Sequence, residues 1–488
     1  MPRIRILLLS LLAGSLLAGS AGAAQALASH GQITYFEASE DLLSPSTRAH
    51  TIAQLKYEGV NALRIELYWE SVAPGANSAT KPDFEATSPA AYHWGQYPAV
   101  LAEAKRLGWQ VLLTVTSPVP RWATSNGTAP YVTRPDSKDF EEFMTAVARE
   151  FGPEVSTYAI WNEPNHPAFL MPQFNANGSP ASGHIYRGLY EAGYQGLQAA
   201  GLAHPRVLFG ETAPTGYESV RSMVRSRNRK EKADAPLHEV APLTFLREAL
   251  CLNAAYKKSA TCSELQMAGY SHHAYTEAAG PFYVPVQRSN VMIGSLSRLS
   301  NALNLAARAH AIPAGVPIYL TEFGIQSYPN RQEGVPVAKQ AEYDAIAERI
   351  AYENPRVAAF SQYLLKDDPL GGAPGASVHG GRVGFQTGLE YVSGQPKPLY
   401  YGWPIPLTVT RTRGGVALWG LVRPGTGART VTVLVKAKHA KRWRTLKTVH
   451  TNSRGYWSLD SSTAGEYWRV RWTSPEHVKY EGPEIRAY

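Results

Sequence analysis

Two glutamates stand where a run of apolar residues stops. Glu163 lies in STYAIWNEPNH, where Tyr158, Ala159, Ile160 and Trp161 read as a strand that Asn162, Glu163, Pro164 and Asn165 break. Glu322 lies in PIYLTEFG, again at the end of a strand-like run. Other such runs end on groups that can hold a charge, donate a hydrogen bond or offer an aromatic face. These are Arg64 and Trp69 in NALRIELYW, Trp122 just beyond VLLTVTSP, Glu211 in RVLFGETAP, His273 and Tyr275 in LQMAGYSHHAY, and Gln362 in RVAAFSQYLL. Paired carboxyl groups among hydrogen-bonding and aromatic side chains suit the breaking of a glycosidic bond. One carboxylic acid protonates the leaving oxygen, and one carboxylate attacks or stabilises the anomeric carbon. A single Glu at a strand tip is usually solvated, and a Trp there is as open to packing the rim as to meeting a sugar.

Chemistry of this kind needs an element that brings strand ends together. Apolar strand-like runs alternate with amphipathic stretches such as TRAHTIAQLKYEG, YPAVLAEAKRLG and SKDFEEFMTAVAREFG. Eight strand–helix units are counted by Leu365, the last helix being indistinct. Strands that read as continuous apolar runs belong to a parallel sheet covered by helices. Eight of them predict an α/β fold, a (β/α)8 TIM barrel, whose strand carboxyl ends form the mouth of the active site. No Gly-rich phosphate loop follows the first strand, as a doubly wound nucleotide-binding sheet would require. Residues 29–391 are assigned to this barrel and 392–406, VSGQPKPLYYGWPIP, to a linker. From 407 to 488 the pattern changes to short alternating runs such as RTVTVLVKA and EYWRVRW, which predict a small all-β sandwich. Its tryptophans, Trp419, Trp443, Trp457, Trp468 and Trp472, are read as core.

The motifs resemble those of clan A retaining glycoside hydrolases, with families 39 and 5 the nearest. WNEPN and LTEFG look like the two signature strand ends, LRIELYWESVAP like the second-strand segment and SHHAY like the sixth-strand His-x-Tyr. The ordered match covers about residues 30–370. The resemblance implies Glu163 as acid/base and Glu322 as nucleophile. It implies Asn162 on the sugar 2-hydroxyl, Tyr275 hydrogen-bonded to the nucleophile and Arg64 keeping Glu322 ionised. Glu163 should then have a raised pKa. His273, Trp69, Trp122, Glu211 and Gln362 are the remaining substrate-binding candidates. The third strand carries no histidine, and Gln362-Tyr363 stands where many clan members carry a tryptophan. No metal or organic cofactor is implied. The alternative is a non-catalytic carbohydrate-binding or cell-surface protein on the same barrel.

Composition sets the setting. The 488 residues are 44% hydrophobic and 18% charged, enough for a barrel core and a further module. Arg3 and Arg5 precede the apolar run Ile6–Leu17, and small residues follow, so residues 1–28 read as a signal peptide and the protein as secreted. No other segment is long and apolar enough to span a bilayer. Cys251 and Cys262, twelve residues apart counting both, should form a disulfide in an exported chain. The net charge of +9 is concentrated in Ile405–Tyr488, where fifteen Lys and Arg face five Asp and Glu. A basic tail on an otherwise neutral chain suits an anionic cell-wall or extracellular polymer rather than nucleic acid.

Overall fold

The computed structural model describes residues 32–226, 238–331, 333–369, 384–423 and 427–488. The expected signal peptide, residues 1–28, lies outside them. Eight parallel strands close into a barrel in sequence order: β1 (Ile33–Glu37), β2 (Ala62–Tyr68), β3 (Gln110–Thr116), β4 (Thr157–Ile160), β5 (Val207–Thr212), β6 (Gly269–His273), β7 (Ile318–Glu322) and β8 (Val357–Tyr363). The helices outside it include α1 (Arg48–Tyr57), α2 (Tyr97–Arg106), α3 (Ser137–Phe151), α4 (Ser182–Ala199), α5 (Pro242–Ala249), α6 (Leu296–Arg308) and α7 (Val337–Glu353). The helix that the sequence left indistinct is short: α8, Pro398–Gly402, inside the segment 392–406. That segment is packed, with Trp403 buried edge-on against Phe36 of β1.

Local chemistry fixes these elements. Asp136 caps α3 by accepting from the Lys138 and Asp139 amides at 2.9 Å each, satisfying donors left over at a helix start. Helix α4 lies close on α3 because glycine meets it there: a Cβ at Gly196 would stand 2.3 Å from the Glu141 carbonyl oxygen. One turn earlier, a Cβ at Gly193 would stand 2.8 Å from Ile160 Cδ1, so the same helix face seats β4 beneath the site.

Strand periodicity sorts the barrel interior into layers. Tyr35, Ala62, Leu112, Ala159, Leu208, Tyr319 and Ala359 make one apolar cluster. Two residues further along, the same inward rows carry Glu37, Arg64, Thr114, Thr321 and Ser361, all buried. Side chains two apart share a face of a strand. An apolar floor therefore carries a polar layer directly below the carboxyl-end mouth.

Seven antiparallel strands follow: β9 (Leu407–Thr412), β10 (Gly415–Gly420), β11 (Thr430–Lys436), β12 (Arg444–His450), β13 (Trp457–Ser461), β14 (Tyr467–Thr473) and β15 (Lys479–Glu481). They form sheets ordered β13-β10-β9 and β12-β11-β14-β15. Val409, Val433, Trp457, Trp468, Val470 and Trp472 help fill the core between them. Trp419 instead packs with Tyr352 and Tyr456, facing α7. Trp443 lies outside the core, partly exposed. Cys251 and Cys262 are disulfide-bonded, with Cα atoms 6.3 Å apart. Among the described residues no helix is long and apolar enough to cross a membrane.

Candidate active site

Strand register brings the charged groups together. Glu37 of β1 pairs with Arg64 of β2, and His273 of β6 pairs with Glu322 of β7. Arg64 is fully buried and acts as a hub. Its Nη1 lies 2.9 Å from Glu322 Oε1 and contacts Glu37. Its Nη2 lies 2.5 Å from Glu211 Oε2, 3.6 Å from Glu66 Oε1 and 3.0 Å from Asn162 Oδ1. His273 is the second hub. Its Nδ1 is 3.0 Å from Glu163 Oε1 and 3.5 Å from Glu322 Oε2, and its Nε2 is 3.5 Å from Glu211 Oε2. Tyr275 donates its hydroxyl to Glu322 Oε2 at 3.0 Å. Oxygens of Glu163 and Glu322 thus flank one imidazole nitrogen and lie within 4.8 Å of each other.

The β4 end is bent to reach this point. Trp161 and Glu163 have φ of +70° and +37°, and Glu211 on the neighbouring strand has +47°. Such conformations are costly for residues other than glycine and persist where surrounding bonds hold them. Here the Glu163 amide donates to the Glu211 carbonyl at 2.9 Å, and the Asn162 amide to Thr116 Oγ1 at 2.9 Å. Trp161 is buried, its indole N–H on the Phe169 carbonyl.

Five carboxyl groups meet two cations here, so the electrostatics are a competition. Burial pushes the Glu322 carboxyl up to about 7; His273 and then Arg64 pull against it, and the Glu163 charge adds to it. Arg64 therefore lowers the Glu322 pKa without holding it in the ordinary carboxylate range, because desolvation outweighs the ion pair. Burial opposes the charge on His273, but the Glu322, Glu163 and Glu211 carboxylates outweigh it and hold the imidazolium up to about 10. Burial opposes the Glu211 charge too; Arg64 and then His273 overcome it and keep that carboxyl well below the usual range. Burial pushes Glu37 well up despite Arg64.

Among the described residues two groupings have the spacing of a cation site, Glu163–His273–Glu322 and Glu37–Glu66–Glu322. The second already surrounds the Arg64 guanidinium, whose charge takes the place of a metal there.

Glu163, Glu322, Asn162, Arg64, His273 and Tyr275 are assembled in one cluster. Glu211 is in it as well, but beneath the surface: fully buried, it also accepts from Ser271 Oγ at 2.6 Å. It serves as a counter-charge to both hubs, in contact with the protein alone. Trp69 is not brought to the mouth; it is fully buried and stacked on Phe143. Trp122 is partly exposed, edge-on to Trp69, with Lys81 5.5 Å above its ring. Gln362 is fully buried, donating to the Thr387 carbonyl at 2.9 Å. Sequence reading passed over Glu37 and Glu66. The period-two rows through Arg64 were the available signal: Glu66 is two residues beyond Arg64 on the same inward row. Tyr68, two further on, donates to Glu66 Oε2 at 2.5 Å.

Comparison with known proteins follows this geometry. The profile of the cellulase family (glycosyl hydrolase family 5) matches residues 25–171. The matched segment and the eight-stranded barrel support a clan A glycoside hydrolase. The match spans β1 to β4, so it takes in Arg64, Asn162 and Glu163 and stops short of Glu322. Among solved structures, a glucosidase from Croceicoccus marinus has TM-score 0.51 at 10% identity, over 93% of this chain and 96% of that one. This similarity shows the fold. A GH39 enzyme from Xanthomonas axonopodis pv. citri aligns over 89% of this chain and 93% of its own, at 13% identity and TM-score 0.48. Bacteroides uniformis β-glucuronidase 2 aligns over 94% of this chain, at 11% identity and TM-score 0.43. This chain spans only 46% of that enzyme's length. No curated protein matches the chain significantly.

Proposed function

We propose that this protein is an exported retaining glycosidase that hydrolyses O-glycosidic bonds of a poly- or oligosaccharide in two displacements. The observation that carries this reading is the separation of Glu163 and Glu322, whose oxygens approach within 4.8 Å beside the same His273 nitrogen. Carboxyl groups about 5–5.5 Å apart leave no room for a water to attack directly and belong to the retaining mechanism. Glu322, aimed by Arg64 and Tyr275, attacks the anomeric carbon while Glu163 protonates the leaving oxygen. Glu163 then deprotonates the water that releases the glycosyl-enzyme. Asn162, adjacent to Glu163 and accepting from Arg64 at 3.0 Å, takes the sugar 2-hydroxyl. Residues 1–28 serve as the export signal, and the basic module at 407–488 meets an anionic cell-wall or extracellular polymer.

The test is turnover of a panel of aryl glycosides and polysaccharides, with the product anomer read early by proton NMR. The first-formed sugar should keep the configuration of the substrate. Inversion would contradict the two-step mechanism. Glycan binding without turnover would favour a non-catalytic carbohydrate-binding protein.

A further inference from the structure

We infer that the outward face of the β12-β11-β14-β15 sheet binds an acidic polysaccharide. This rests on the reading that the basic module meets an anionic polymer, and it gives that contact a surface. Alternation fixes which residues look outward. On β14, Trp468, Val470 and Trp472 are buried in the module core, so Tyr467, Arg469 and Arg471 point away from it. On β11, Val431, Val433 and Val435 face inward and Lys436 outward. Lys436 is paired across to Tyr467.

These groups and Trp443 form a continuous row. Lys436 Nζ sits 4.7 Å from the Trp443 ring centroid and 4.9 Å from that of Tyr467. The Arg469 guanidinium lies 4.7 Å from the Trp443 ring, and that of Arg486 4.8 Å from the Tyr467 ring. Arg486 also donates to the Tyr467 hydroxyl at 2.6 Å. Aromatic faces attract cations, and here they hold long side chains that would otherwise lose entropy on meeting a ligand. The row crosses strands about 4.8 Å apart, so cations recur along it at intervals that an extended chain with repeated carboxylates can meet.

The row is only partly neutralised. Glu481 pairs with Arg469 and Arg471, and Glu484 with Lys436. Among the described residues no carboxylate lies within ion-pair distance of Arg486, or of Arg444 beside Trp443. The surplus is positive, which selects an anionic partner. A glycan is favoured over nucleic acid because the adjoining barrel is built to act on carbohydrate.

The test uses the full-length protein and three probes: polygalacturonate, neutral dextran and duplex DNA, each across a salt series. R469Q/R471Q/R486Q removes three cations from the face. R411Q/R413Q/R454Q removes three exposed cations elsewhere on the module. The wild type should bind polygalacturonate in preference to dextran and DNA, and more weakly as salt screens it. The face variant should weaken that binding by about ten-fold, the loss of roughly 1.4 kcal/mol, and flatten its salt dependence; the control variant should stay within about two-fold of wild type. Equal loss in both variants would leave the basic module as a binder by net charge and overturn the face. Preference for DNA would overturn the acidic glycan as ligand. Absence of binding by the wild type would overturn both this inference and the reading of the module on which it rests.

Discussion

Glu322 and Glu163 share His273 but differ in their other surroundings. Glu322 also faces Arg64 and Tyr275, contacts that would aim it as the proposed nucleophile. Glu163, on a bent backbone, is the more open of the two. Glu322→Gln should abolish turnover of every substrate in a steady-state assay. Glu163→Ala should slow substrates with poor leaving groups by about 10²–10⁴-fold, the usual worth of a positioned acid. Activated aryl glycosides should suffer far less, and azide should restore the second step. Equal loss on all substrates without azide rescue would make Glu163 a scaffold residue. A pH profile follows from the same pair. Burial is the main reason the Glu322 carboxyl is raised to about 7, and the Glu163 charge adds to it. Attack needs Glu322 ionised, so kcat/KM should rise as pH rises through about 7. That acidic limb should move to lower pH in Glu163→Ala measured on an activated substrate, because one contribution to the rise is gone. A limb that stays in place would assign it to another group.

The strands β2, β5 and β6 supply what lies under that pair. Glu211 pairs with both cations deep in the barrel, and each cation touches a carboxyl of the proposed catalytic pair. Breaking a buried ion pair by removing one partner costs about 3–5 kcal/mol because the other charge is stranded. Glu211→Gln should lose stability of that order in denaturant titration. It should also let the His273 pKa fall from about 10, which imidazole NMR can follow. Lost stability with an unchanged His273 titration would leave Glu211 a purely structural residue. The contrast between Glu211 and Glu163 shows where sequence reading reaches its limit. Both end apolar runs, and strand order alone suffices to collect such ends at one mouth. Whether a side chain then faces the cavity or lies beneath it depends on backbone bends and cross-strand register, which no periodicity encodes. Trp69 illustrates the same point: an aromatic at a strand tip was legible, but not the Phe143 ring that would stack on it. Arg64, His273 and Tyr275 were legible because the motif frames fixed their positions relative to the two glutamates.

The β module is docked on the barrel through mixed aromatic and ionic contacts. Tyr57 of α1 stacks between Tyr400 and Tyr480, and the Tyr480 hydroxyl donates to the Tyr57 carbonyl at 2.8 Å. Arg423 lies 3.9 Å over the Trp403 ring and pairs with Glu348 of α7. The segment 392–406, read as a linker, packs through its aromatic residues Tyr400 and Trp403. Glu58 is buried near this seam, neither oxygen has a hydrogen-bond partner, and burial pushes its carboxyl well up. A raised acid is neutral in the fold and ionised in the unfolded chain above its ordinary pKa. It therefore penalises folding progressively as pH rises above about 4.5. Glu58→Gln should raise stability at pH 7–8 by about 1–3 kcal/mol and change it little near pH 4. Equal thermal shifts at both pH values would show that the carboxyl is not the source.

The central claim is that Glu322 carries the sugar between two displacements, with Glu163 passing the proton. Mass spectrometry after reaction with a slow-turnover 2-deoxy-2-fluoro aryl glycoside tests it most directly, using the sugar that the substrate panel selects. The account predicts one glycosyl adduct, on the proteolytic peptide containing Glu322, absent from Glu322→Gln and retained in Glu163→Ala. An adduct on Glu163, or inverted product with no adduct at any residue, would contradict it.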